Sequence, residues 1–242
     1  MESFLERSKD ADLDKLVREL AARSHGGTRR SLRLHAWRFT VAFSYAAKRA
    51  IDIVGSFAGM VLLSPVFLAI AAAVKFTSPG PVIFTQTRVG RYGRHFKFYK
   101  FRSMYIDAEA RKAELLAKNE SKDGVIFKMK DDPRITKVGK FLRRTSLDEM
   151  PQLWNVFIGD MSLVGPRPPV PSEVAEYTLE DRKRLDVIPG ITCLWQINGR
   201  SEIPFNEQVR LDKEYILSTG FWKDLAILLK TVPAILGGKG AY

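Results

Sequence analysis

The run Ile53-Val54-Gly55-Ser56-Phe57-Ala58-Gly59-Met60-Val61-Leu62-Leu63-Ser64-Pro65-Val66-Phe67-Leu68-Ala69-Ile70-Ala71-Ala72-Ala73-Val74 carries no charged residue. It reaches the roughly 20 apolar residues that a helix needs to cross a hydrocarbon core. A buried helix of a soluble domain has a similar composition, but basic flanks on both sides argue against it. Arg29, Arg30, Arg33, Arg38, Lys48 and Arg49 precede the run; Lys75, Arg88, Arg91, Arg94, Lys97, Lys100 and Arg102 follow it. Positive residues mark the cytoplasmic side of a span, and here both ends qualify. Ser64-Pro65 lies near the middle, where proline removes a helix hydrogen bond and serine can satisfy the carbonyl so released. From the physics alone two topologies stay open. One is a helix that breaks, turns back and leaves through the face it entered; the other is a tilted span with a proline kink. Both put the chain on a membrane.

The rest of the composition fits that setting. A chain of 242 residues suffices for one substantial domain and an appendage. Its net charge of +12 and pI near 9.8 call for an anionic partner: nucleic acid, lipid headgroups or a phosphorylated substrate. The single cysteine, Cys193, forms no internal disulfide and suits a reducing compartment. With three histidines and that one cysteine, a structural zinc site is not expected. Residues 1–22 are charged, so no cleavable signal peptide is expected there. Leu13, Leu16, Val17 and Leu20 share one face of an expected short helix over residues 2–22, and Ser24 to Thr28 read as a linker. From Gly26 to Ala50 no acidic residue occurs, while Trp37, Phe39, Phe43 and Tyr45 intersperse the bases. Such a segment suits the headgroup layer of an anionic membrane; a basic linker without a specific partner is the other reading.

Soluble patterning begins at Thr77. Ser78-Pro79-Gly80-Pro81 is a turn, 82–86 reads as a strand, and Arg88 to Arg94 as a hairpin turn. In 95–101 the alternation puts His95, Lys97, Tyr99 and Phe101 on one face and Phe96, Phe98 and Lys100 on the other. Helices are expected over 107–119, 134–144, 152–158, 172–186, 206–218 and 222–236, with a short strand over 125–130. The run 191–200 reads as strand-like, closing on a turn at Asn198-Gly199-Arg200. The helix over 222–236 has few charges and either lies on a membrane or packs in the core.

Within this basic chain, Asp148 and Glu149 stand just after Arg143-Arg144. At a helix N-terminus the helix dipole and the two arginines would keep both carboxylates ionised, ready to act as a nucleophile or to hold a hard ion such as Mg²⁺. Ser146-x-x-Glu149 equally fits a capping box. With Ser146 as cap, Pro151 falls inside the helix; with Asp148 as cap, it stays in the tolerated first turn. The sequence does not choose between these registers. Downstream, Gly165-Pro166-Arg167-Pro168-Pro169 braces one arginine between prolines, which lowers the entropy lost when its planar fork grips a phosphate. A proline-rich loop with a solvated arginine is the plainer reading.

Taken together, these blocks resemble the bacterial sugar transferases, the monotopic polyprenyl-phosphate sugar-1-phosphate transferases. The resemblance rests on the break at Ser64-Pro65, on Lys100-Phe101-Arg102-Ser103-Met104 and on Ser146-Leu147-Asp148-Glu149. It continues through Gly159 to Pro168, Pro189-Gly190-Ile191-Thr192 and Asn198-Gly199-Arg200, in order over about residues 46–236. At Cys193-Leu194 the sequence departs from a Gly-Trp pair common in the family. The resemblance implies transfer of sugar-1-phosphate from a nucleotide diphosphate sugar to polyprenyl (undecaprenyl) phosphate, with a hexose and a UDP-sugar as the expected classes, beginning exopolysaccharide or other glycan assembly. It implies Asp148 as the nucleophile that forms a covalent phosphosugar, and Glu149 as its partner, with Asp148 and Glu149 binding Mg²⁺. Arg167 and Arg200 match the family's phosphate-binding arginines, with Lys100 and Arg102 as further contributors. Ser64 and Pro65 match the break that makes the family's membrane helix re-entrant.

The expected fold is therefore α+β: a small catalytic domain of helices and a β-hairpin, on a re-entrant membrane segment with surface-lying amphipathic helices. The expected divisions are an N-terminal extension over 1–45, the membrane segment over 46–75 and the catalytic domain over 76–242. The expected location is the cytoplasmic face of the bacterial inner membrane, with anionic lipids and the two substrates as partners and no nucleic acid. The oligomeric state stays open, a homo-oligomer included. Two rival classes remain at this stage, a membrane-anchored binding module without catalysis and a metal-dependent phosphohydrolase with no lipid acceptor.

Overall fold

The computed structural model describes residues 27–115, 129 and 131–237. The helix expected over 2–22 and, apart from Met129, the strand expected over 125–130 fall outside the described residues. Helix and sheet are mixed, in keeping with an α+β class. By compactness the chain divides into two units, Met1–Lys48 and Arg49–Tyr242. Helix α1 spans Gly27–Leu62. In its first-unit part Trp37, Phe39, Phe43 and Tyr45 are all exposed, and the rings of Phe39 and Phe43 stack one turn apart at 6.3 Å.

The second unit begins with a broken helix. After Leu63, helix α2 (Ser64–Thr77) leaves at 61° to the segment His35–Leu62. The cause is local. Pro65 has no N–H for the carbonyl of Val61, four residues earlier. The Ser64 hydroxyl donates to that carbonyl instead, at 2.8 Å. Among the described residues no single helix is long and apolar enough to cross a membrane; only the bent pair passes that test, by length and composition together. One turn before the apolar run, α1 is pinned to the rest of the unit. Arg49 donates to the carbonyls of Val156 and Phe157 at 2.6 and 2.7 Å. The buried carboxylate of Asp52 accepts from the Ser162 hydroxyl at 3.0 Å and the Leu163 N–H at 2.8 Å.

Strands β1 (Ile83–Val89) and β2 (His95–Phe101) form an antiparallel hairpin, Ile83 opposite Phe101 and Val89 opposite His95. Its turn is a single helical turn over Arg91–Gly93, with Tyr92 at φ 56° and Gly93 at φ 80°. The alternation read from the sequence is present. Phe96 and Phe98 pack on Val156 and Met161, while Phe101 turns to the other side, among Ile70, Val74 and Leu142. Of the helix expected over 107–119, the described residues contribute only one helical turn, α3 (Lys112–Leu115). Helix α4 (Lys137–Arg144) is capped by Thr136, whose hydroxyl accepts from the Gly139 N–H at 2.9 Å. Gly139 lies so close to Ser103 that a Cβ there would meet the Ser103 carbonyl oxygen at 1.9 Å.

Helix α5 (Gln152–Ile158) ends at Gly159, whose φ of 100° allows the left-handed stop. Strand β3 (Ser162–Val164) follows; its parallel partner β4 (Gly190–Thr192) comes later in the chain. Between them the single helix expected over 172–186 is in fact broken. Helix α6 (Pro171–Ala175) stops, Tyr177 turns into the core against Phe205 and Val209, and Thr178 caps a new helix, α7 (Leu179–Arg182). A second correction concerns 191–200. Only its start is strand; α8 (Leu194–Asn198) follows, because a short apolar run does not distinguish strand from buried helix. Helices α9 (Phe205–Leu217) and α10 (Phe221–Gly237) complete the unit. Helix α10 packs in the core along one side and leaves apolar residues exposed along another. Ile227 is buried against Val164 and Tyr215, while Trp222, Leu229 and Val232 are exposed.

Replacing Gly139 by alanine should lower stability by about 1–3 kcal/mol, the usual cost of overpacking. The same change at Gly220, where a Cβ meets nothing within 4 Å, should stay within about 0.5 kcal/mol. Urea midpoints of the solubilised protein report the contrast.

Candidate active site

Leu147–Glu149 forms one tight helical turn ahead of α5, entered through Ser146 at φ 54°. That left-handed residue removes the capping box. The Ser146 side chain caps nothing, and Glu149 reaches away from it, so neither proposed register is adopted. Pro151 sits at the boundary just before α5, where a missing N–H costs nothing. The tight turn also lets adjacent carboxylates face one space, as an α-helix would not. Asp148 and Glu149 both line a cavity of about 400 Å³.

Three elements converge on Glu149. Its Oε1 accepts from Lys100 Nζ, on β2, and from Arg167 Nη2, on the proline-braced loop, each at 2.9 Å. Burial alone would push the Glu149 carboxyl up, but Arg167 and Lys100 outweigh it and hold it below its ordinary value. Burial likewise would lower the Arg167 guanidinium, and the Glu149 charge more than reverses that. Asp148 is different. Only 4 % exposed, it lies 3.9 Å from Lys100 Nζ and its carboxylate accepts no hydrogen bond from the described residues. Burial raises its pKa, with Lys100 opposing and Glu149 adding to the rise. Burial thus works against the charge of Asp148, which has no hydrogen-bond donor among the described residues, and of the two arginines read beside the pair only Arg143 lines the cavity.

The other expected residues divide. Arg200 lines the cavity, with φ 53° and its Nη2 3.3 Å from the Ser146 hydroxyl. Burial lowers its pKa. Arg102 does not join them. Its guanidinium is buried at the end of α2, donating to the carbonyls of Pro79 and Ser78 at 2.7 and 2.6 Å, so it holds the helix exit rather than a phosphate. Alternation alone would put Arg102 on the same side as Lys100, but β2 ends at Phe101, and past that end Arg102 is committed to the chain segment that precedes the hairpin. Arg143, read only as a neighbour of the pair, lines the cavity with its Nε donating to the Ser103 hydroxyl at 3.1 Å. Arg88 lines it too, and nothing in its hairpin sequence distinguished it from Arg91 or Arg94.

A second buried ion pair stands at the cavity wall. Arg184 pairs with Asp212 and donates to the Tyr177 hydroxyl at 3.1 Å, its guanidinium 5.7 Å from the ring centres of both Tyr177 and Phe205. Burial pushes Asp212 up to about 6 even so, and one of its oxygens has no partner.

Residues 43–238 match the family model described as bacterial sugar transferase. The chain belongs to that family. Among its relatives, the galactosyl transferase CpsE of Streptococcus agalactiae is 50% identical over 196 residues, covering 81% of this chain and 43% of the relative. The undecaprenyl-phosphate galactose phosphotransferase of Salmonella typhimurium is 44% identical over 201 residues, covering 81% and 41%. The exopolysaccharide production protein ExoY of Rhizobium meliloti is 39% identical over 199 residues, covering 81% and 88%. The chain thus spans less than half the length of the first two relatives and most of the third. In this bacterial sugar transferase the matched region takes in the break at Ser64-Pro65, the carboxylate turn and all the cavity arginines.

Removing one partner of the Arg184–Asp212 pair strands a buried charge, which typically costs about 3–5 kcal/mol. Arg184→Met and Asp212→Leu should each unfold at markedly lower denaturant, and the double variant should be more stable than either single one.

Proposed function

We propose that this chain transfers sugar-1-phosphate from a nucleotide diphosphate sugar to polyprenyl phosphate. The observation that carries the reading is Asp148, a buried carboxylate without hydrogen-bond donors among the described residues, opening into a cavity rich in cations. Such a group is a poor structural ion and a good nucleophile. In the first step an Asp148 oxygen attacks the phosphorus that bears the sugar. An Asp–O–P bond forms, the phosphoanhydride P–O bond breaks, and nucleoside monophosphate leaves with the electron pair. In the second step an oxygen of polyprenyl phosphate attacks the same phosphorus, forming the lipid diphosphate linkage and returning the carboxylate. Arg167, Arg200 and Lys100 would neutralise the phosphate oxygens, with Glu149 fixing two of those cations.

A divalent ion fits this donor set. Among the described residues no group of three or more His, Cys, Asp or Glu could hold a metal ion by itself. Mg²⁺, however, takes one or two carboxylates and completes its shell with substrate phosphates and water. Asp148 and Glu149 are the residues that would hold it, and the ion would supply further neutralisation of the diphosphate.

Membrane placement belongs to the same proposal. The bent pair α1–α2 would be a re-entrant segment, with Ser64 and Pro65 making the turn, an extension over 1–45 before it and the catalytic domain over 76–242 after it. The chain would then sit on the cytoplasmic face of the bacterial inner membrane, at the depth of the polyprenyl phosphate headgroup. A UDP-hexose is the donor class favoured here, since relatives are named for galactose and for glucose transfer. Initiation of an exopolysaccharide or related glycan is the favoured pathway role.

Membranes containing the chain, given labelled nucleotide sugars, should make lipid-extractable label only when polyprenyl phosphate is present. Asp148→Asn and Glu149→Gln should each abolish most turnover, whereas release of label into water alone would indicate a phosphohydrolase. The pH profile gives a second test. Because burial raises Asp148, kcat/KM should fall on acidification at a pH above the ordinary aspartate range. Lys100 lowers that pKa, so Lys100→Met should move the acid limb to higher pH. An unmoved limb would remove Asp148 as the titrating group.

A further inference from the structure

The hairpin places Arg88 where the proposed reaction can use it. Strand register sets Arg88 opposite Phe96 and Gln86 opposite Phe98, so Arg88 shares the cavity-facing side with Phe98 and Lys100. Phe98, itself 1 % exposed, lies beneath both cations, 5.1 Å from the Arg88 guanidinium carbon and 5.4 Å from Lys100 Nζ. Two of the three guanidinium nitrogens are committed. Nε donates to Gln86 Oε1 at 3.0 Å and Nη1 to the Pro168 carbonyl at 2.9 Å. Nη2 makes no hydrogen bond to any described residue, and Arg88 forms no ion pair with a described carboxylate. Nor is Nη2 sealed in protein, for it is not among the buried polar atoms left without a partner.

An arginine so placed lacks an anion. Lys100 and Arg167 already share Glu149 Oε1, and no described carboxylate pairs with Arg88. Burial and the neighbouring Arg167 push Arg88 down to about 10, with Glu173 and Glu149 opposing only through longer-range charge. A structural arginine at such a site would be expected to have found a carboxylate. Its fixed fork and one open edge instead match a phosphate oxygen arriving from the cavity.

We propose that Arg88 binds substrate directly, donating from Nη2 to a phosphate oxygen next to the one gripped by Arg167. This rests on the transferase reading. The ligand chemistry is a phosphate oxygen, borne either by the donor diphosphate or by the acceptor monophosphate.

Steady-state kinetics of Arg88→Gln and Arg88→Lys, in the full chain with each substrate varied in turn, separate the two sources. We expect KM to rise by about tenfold for one substrate, the scale of one hydrogen bond to a charged group. A rise for the nucleotide sugar assigns Arg88 to the donor diphosphate, and a rise for polyprenyl phosphate assigns it to the acceptor. A fall in kcat with both KM values within twofold would overturn the proposal, since that is what loosening the Pro168 loop alone would do. Calorimetric binding of inorganic pyrophosphate to wild type and both variants gives a readout that needs no turnover. Weaker binding by either variant supports direct contact, and unchanged affinity in a folded variant overturns it. If Arg88→Gln does not fold, Arg88→Lys decides by the same criteria, because it keeps a cation over Phe98 and removes the fork. Should wild type make no lipid-linked product from any nucleotide sugar, the transferase reading fails while the pyrophosphate arm still decides Arg88.

Discussion

One carboxylate oxygen ties the site together. Glu149 Oε1 receives Lys100 from the β-hairpin and Arg167 from the loop after β3, while Glu149 itself stands on the turn before α5. Three segments far apart in sequence are therefore held at one point by charge-assisted hydrogen bonds, about twice as strong as neutral ones. The arrangement has a consequence for its neighbour. With Glu149 accepting from both Lys100 and Arg167, Asp148 is left buried, close to one ammonium and without hydrogen-bond donors among the described residues. Cost at Asp148 and satisfaction at Glu149 are two sides of one geometry, and they assign the carboxylates different chemical characters.

The scaffold behind this point reaches back to the broken helix. Arg49 holds the C-terminal carbonyls of α5, and Asp52 holds the start of β3. These two contacts lie less than one helical turn apart on α1 and grip both elements that position Asp148, Glu149 and Arg167. The proposed membrane segment is thus the backing of the site and not a detachable anchor. A headgroup-level acceptor would meet the carboxylate turn at a depth set by the protein's own hydrogen bonds.

Much of this was legible in the sequence, and the misses share a cause. Ser64-Pro65 announced a break because proline's missing N–H and serine's hydroxyl are local facts. Period-two alternation found β2 and the face that Lys100 shares with Phe96 and Phe98 for the same reason. The capping box at Ser146 failed because a left-handed φ at a serine has no sequence signature. Arg102 was misassigned because its partners are carbonyls of the turn after α2, and a carbonyl leaves no mark in a string of residue types. Arg88 was overlooked for the converse reason: in a hairpin full of arginines, only the strand register shows which one turns toward the cavity. Local chemistry was readable, and the direction of long cationic side chains was not.

The central claim is that Asp148 becomes phosphorylated by the sugar donor. Intact and peptide mass spectrometry of the chain after rapid acid quench, with nucleotide sugar present and polyprenyl phosphate withheld, tests it directly. The account predicts a mass increase of one sugar-1-phosphate on the peptide bearing Asp148, absent in Asp148→Asn and discharged when polyprenyl phosphate is added. A chain that turns over both substrates yet never carries that adduct, or carries it on another residue, would contradict it.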